Sequence, residues 1–292
     1  MANAALELLR RTYDEWRSDG APQIAAALTY YLFLSLAPML VLTVNLIGRY
    51  LGRSTVTGRV LEQARALAGS AGESIAKELI ASAQPSTLGT LASAAALVIA
   101  LFGSMRLFVH LRTAFDRMWN IPKADAPDGG FWTSVKWGLS SLGRDNLASF
   151  LMLIGVGVLL VASLALSSAL TVAANQIAPL LRISPAVLRV AEYGLSVALI
   201  TALFALVYRV LPRTSIGWRD VWVGAGMTAL LFTLGRVLLG VYFSYASPGS
   251  AYGAAGSVVA FLVWANLSLQ LMLFGAEFTH VWTYTHGSRA AA

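Results

Sequence analysis

The chain has no cysteine. Structural disulfides, thiolate metal sites and cysteine nucleophiles are therefore excluded. Charge is scarce as well. Charged residues make up 12% of the chain, where a soluble protein carries about 25%. Histidine is limited to His110, His280 and His286. The last two stand six residues apart and do not share a helical face. There is no HxH pair and no Gly-rich phosphate loop of the nucleotide-binding kind. On these grounds we expect no enzyme, no cofactor, no metal site and no ATP-driven chemistry within the chain.

What fills the space is apolar. Hydrophobic residues make up 57% of the sequence and the mean hydropathy is +0.68, the signature of a membrane protein. The stretch that organises the rest is Tyr252 to Trp282. From Ala254 to Phe274 it carries no charge, which is about 30 Å of helix and enough to cross a hydrocarbon core. Asn266 and Gln270 lie one turn apart within it, and Glu277 follows three residues past its apolar end. Nothing in a bilayer core pairs with such groups. The helix is therefore expected to pack in a bundle with its amides and carboxylate turned toward protein or water.

Read in order, residues 1–23 form an amphipathic segment with Leu6, Leu9, Tyr13 and Trp16 at helical spacing. Spans are expected at about 24–47, 88–110, 147–172, 188–211, 221–245 and 254–282. Together they give one all-α, six-span membrane domain over residues 1–292. Pro38 should kink the first span. The polar segment 48–87 reads as two short amphipathic helices in the first outer loop, separated by Gly69-Ser70-Ala71-Gly72. Ala92, Ala96 and Ala100 give the second span a small-residue face. Gly155 and Gly157 in the third span, Gly224, Gly226, Gly235 and Gly240 in the fifth, and Gly253 and Gly256 in the sixth suit close helix contact.

Six spans place both termini on one side. With that side cytoplasmic, the inner segments hold twelve Lys and Arg and the outer segments seven, in the sense of the positive-inside rule. Seven of the eight tryptophans then fall at the inner interface. The net charge of +7 is read as topology rather than as nucleic-acid binding.

Arg106 and Arg236 are the basic residues well inside expected spans, where a charge costs about 2.5–3.5 kcal/mol without a partner or a water path. Depth pairs Arg106 with Glu277 near the inner leaflet. The alternative is that Arg106 snorkels to headgroups. Arg236 lies nearer the outer leaflet, with Asn45 and Glu192 as candidate partners. Tyr30, Tyr31, Asn45, Asn266 and Gln270 are candidates to line a polar cavity. Interhelical hydrogen bonding is the plainer reading of Tyr30. Arginines in such a cavity would recognise phosphate or carboxylate.

Four stretches carry a resemblance: AAALTYYLFLSLAPML (25–40), LFGSMRLFVHLRTAFDRMWN (101–120), YRVLPRTSIGWRDVWVGA (208–225) and YGAAGSVVAFLVWANLSLQLMLFGAEF (252–278). In this order they resemble the YihY/BrkB family of six-span bacterial inner-membrane proteins, once labelled ribonuclease BN. Ser104-Met105 before Arg106 depart from the family's usual local pattern. The resemblance implies the fold and a bacterial inner-membrane location. It also brings links to export of solutes or envelope lipids and to serum resistance. A ribonuclease activity is not expected, because a metal-dependent hydrolase needs several converging His, Asp or Glu ligands. The function expected is movement of a solute or envelope lipid, anionic if the arginines serve it. The competing class is a non-transporting envelope scaffold or assembly factor. Expected partners are membrane lipids and an undefined solute or lipid substrate, with no nucleic acid. A homo-oligomer is a further expected partner state.

Overall fold

The computed structural model describes residues 2–82, 107, 109–122, 185–214, 216–246 and 256–290. Among them every regular element is helical. The helices are α1 (Ala2–Ser18), α2 (Ala21–Leu51), α3 (Arg53–Ser82), α4 (Pro185–Val210), α5 (Trp218–Ala246) and α6 (Gly256–Thr285). A further helical segment covers 109–118. Two are long and apolar enough to cross a bilayer: α5 over Trp218–Phe243 and α6 over its full 30 residues. The expected span 147–172 and most of 88–110 lie outside the described residues, and with them the count of six.

The breaks between helices follow from particular residues. Gly20 sits in the left-handed region at φ 70°, where a side chain would clash with the backbone. Pro22 then falls in the first turn of α2, where no backbone N–H is needed. Pro38 does not end α2, which continues as one helix of 31 residues to Leu51. In α3 the backbone leaves helical geometry at Gly69 (φ 66°, ψ −155°), splitting the element in two. The break falls at the first residue of the Gly-Ser-Ala-Gly run.

The chain folds as two compact units. One comprises Met1–Asp19, Phe115–Thr233 and Phe274–Ala292, and the other Gly20–Ala114 and Leu234–Leu273. In the second unit α2 packs on α3. Ile75 of α3 joins Phe261 and Ala265 of α6 in a buried cluster, with Leu32, Phe33 and Leu79 against it. Ile75 comes from a polar amphipathic segment, so its burial gains roughly 1.5–3 kcal/mol.

In the first unit α5 and α6 cross at two reciprocal contacts. A methyl group added at Gly224 of α5 would fall on the side chain of Thr279 of α6. One added at Gly275 of α6 would fall on Thr228 of α5. Gly224 and Thr228 are four residues apart, as are Gly275 and Thr279, so one helix face supplies each pair and the crossing is antiparallel. Both threonines bond back into their own helix: Thr228 Oγ1 donates to the Gly224 carbonyl at 2.8 Å, and Thr279 Oγ1 to the Gly275 carbonyl at 2.6 Å. The hydroxyls are thus satisfied while the glycines let the backbones close, the arrangement that holds apolar helices together where burial supplies little drive. Tyr208 of α4, fully buried, shares a hydrogen bond with Thr228 Oγ1 at 2.8 Å.

Two acidic residues tie down the polar ends of this unit. Asp220, in the first turn of α5, accepts from the Ser288 backbone N–H at 3.0 Å and its hydroxyl at 2.6 Å. Its charge also suits the helix N-terminus. Asp116 accepts from the Arg213 backbone N–H at 3.0 Å. Asn120 takes a positive φ of 49° just beyond the helical segment that carries Asp116, a conformation asparagine tolerates better than most residues.

Candidate functional site

Among the described residues two arrangements hold chemistry, one in each unit. The first centres on Arg236. It lies seven residues before Phe243, the end of the apolar run of α5, which places it about 10 Å inside that end. Arg236 is exposed. So is a broad apolar stripe along the same part of the helix, centred on Leu234, Leu238, Val241 and Tyr245 and flanked by Val237 and Tyr242. At about 100° per residue, Arg236 points about 160° away from Leu234 and Leu238 and about 180° away from Tyr245. The arginine is therefore accessible on the face opposite the stripe that suits lipid.

On α6 Asn266 and Gln270 are half-buried and bond each other, Gln270 Nε2 donating to Asn266 Oδ1 at 2.5 Å. Nearer the α6 turn that carries Leu271, Gly235 of α5 faces that leucine's side chain. Tyr30 of α2 is exposed, and Tyr31 is half-buried and stacked on His110 at 4.2 Å. Arg106 lies outside the described residues, as do the side chains of Asn45 and Glu192.

The second arrangement is built on Glu277. It is fully buried, with 0% of its surface exposed. Its Oε1 lies 3.3 Å from Nδ1 of His280, one turn further along α6. Its Oε2 is buried with no hydrogen-bond partner among the described residues. The third member is Glu15, brought from α1, whose Oε2 lies 3.7 Å from the same His280 nitrogen. Aromatic contact seats α1 here: Trp16 meets Phe274 of α6 edge-on at 6.2 Å. Arg11 donates from Nε to Glu15 Oε1 at 2.8 Å and so leaves Oε2 turned to the histidine. The imidazole is held by two rings, Trp119 at 5.1 Å and Tyr284, edge-on, at 5.0 Å. Nearby, burial holds the Asp19 carboxyl above its ordinary value by more than the Arg117 guanidinium lowers it.

The sequence singles out Glu277 and assigns it Arg106, which lies outside the described residues; among the described residues His280 and Glu15 face it. The spacing Glu277-x-x-His280 was available as a signal, since residues three apart share a helix face. Glu15 carries no such signal, because only the docking of α1 brings it there.

Among the described residues the regular elements are all helical, and two helices are long and apolar enough to cross a bilayer, the class of an all-helical membrane protein. The sequence model of the family described as Virulence factor BrkB matches residues 12–292, and the chain belongs to that family. This bears out the resemblance read from the four motifs. Relatives carry the name UPF0761 membrane protein. That of Pseudomonas paraeruginosa is 27% identical over 94% of this chain and 62% of its own length. That of Alcanivorax borkumensis is 28% identical over 92% and 58%. That of Pseudoalteromonas atlantica is 27% identical over 94% and 85%. The chain thus spans about three-fifths of the length of the first two. No solved structure is significantly similar to it.

Proposed function

We propose that this is a multi-pass protein of the bacterial inner membrane, with both termini cytoplasmic, that moves an anionic solute or envelope lipid across the bilayer. The observation that carries this reading is the placement of Arg236: at membrane depth, accessible, and opposite the apolar stripe of its own helix. A charge kept accessible at that depth needs a polar surface to face. Its planar fork favours carboxylate or phosphate over neutral groups. The partners this implies are membrane lipids and the transported anion, with no nucleic acid and no enzymatic turnover of the cargo. Self-association is compatible with the exposed stripe of α5.

The test is reconstitution. Full-length protein in liposomes is assayed against labelled anionic solutes and fluorescent phospholipids, beside protein-free liposomes and an Arg236→Gln variant. Wild-type protein is expected to raise the flux of at least one anionic species, and Arg236→Gln to reduce that flux at least tenfold with insertion unchanged. Correctly inserted wild-type protein that moves none of them would favour the scaffold reading instead.

A further inference from the structure

We propose that Glu15, Glu277 and His280 form a binding site for one divalent transition-metal cation of the zinc type. Each offers one ligand atom, and the three atoms lie within 4.8 Å of one another. His280 Nδ1 stands 3.3 Å from Glu277 Oε1 and 3.7 Å from Glu15 Oε2. A tetrahedral zinc ion with bonds of about 2.0–2.2 Å holds its ligand atoms roughly 3.3–3.5 Å apart. The protein already sets both separations from the imidazole near that spacing. Glu-x-x-His on one helix is also a spacing by which helical bundles present metal ligands.

The independent observation is Glu277 itself. It is wholly buried, aimed into the cluster, and its Oε2 has no hydrogen-bond partner among the described residues. A carboxylate withdrawn from water and left incompletely bonded is costly. A second carboxylate facing it adds repulsion. One divalent cation relieves the repulsion, since two carboxylates balance its charge beside a neutral imidazole, and it also satisfies Oε2 when Glu277 binds through both oxygens. The mixed oxygen and nitrogen set suits zinc, manganese or ferrous iron better than calcium or magnesium. Arg11, Arg117, Arg289 and Asp19 are the other charged neighbours. None of them reaches Glu277 Oε2. Arg11 holds Glu15 through the oxygen the ion would not use, an orienting contact of the kind that supports metal ligands. Three protein ligands leave a position for water or cargo.

This inference does not depend on the transport reading, and its test involves no transport. Tag-free full-length protein in detergent is stripped with chelator, then titrated with zinc alone by calorimetry, and metal content is measured after desalting. We expect one ion per chain, with affinity at least tenfold weaker in Glu277→Gln, His280→Gln and Glu15→Gln. Glu62→Gln, on the exposed Arg59–Glu62 pair of α3, should bind as wild type. X-ray absorption should show one imidazole nitrogen among oxygen ligands. Should the two α6 variants fail to fold, Glu15→Gln on α1 carries the test. No stoichiometric uptake by wild type, uptake unchanged in the variants, or an ion bound without imidazole would each overturn the site.

Discussion

Gly275 of α6 lies so close to Thr228 of α5 that a single methyl group would collide with the threonine hydroxyl. The same hydroxyl bonds Tyr208 of α4, so this one glycine is where three helices close on each other. Gly275→Ala must push α5 away or break the Tyr208 bond. Overpacking of this kind costs about 1–3 kcal/mol. We expect a melting temperature lowered by several degrees in detergent, with less monodisperse protein. Gly226→Ala is the control. Open space surrounds that position, and replacing a helical glycine there should be neutral or stabilising by up to about 1 kcal/mol. Equal losses in the two variants would show that the close crossing is not what matters.

Asp220 fastens the segment after α6 to the start of α5. Asp220→Ala removes the acceptor of both Ser288 bonds and a favourable charge at a helix N-terminus. The expected loss is about 1–3 kcal/mol. Thermal melts should show it, and limited proteolysis should cut the chain near Ser288 sooner than in wild type. A variant as stable and as resistant as wild type would remove Asp220 from the account.

The elements were legible where one residue decides the outcome. The Gly69 break is written in the Gly-Ser-Ala-Gly run, because glycine alone adopts that backbone cheaply. The contacts were not legible where they depend on which faces meet. Gly224 and Gly226 look alike in sequence, yet one touches Thr279 and the other faces open space. Asn266 and Gln270 stand one turn apart in the sequence, and the packing of α6 lets them bond each other. Glu277 stood out as a carboxylate beside an apolar run. Its neighbour Glu15 is more than two hundred residues away in sequence, and the docking of α1, with Trp16 against Phe274, draws the two together.

The central claim is that the face of α5 bearing Arg236 is wet while the face bearing Leu238 is not. The absence of cysteine makes the measurement clean, since each single-cysteine variant reports on one position. Arg236→Cys and Leu238→Cys, reconstituted in liposomes, are exposed from both sides to a charged, membrane-impermeant thiol reagent. Arg236→Cys should react and Leu238→Cys should stay unmodified. Reaction at Leu238→Cys with none at Arg236→Cys, or none at either, would contradict the account.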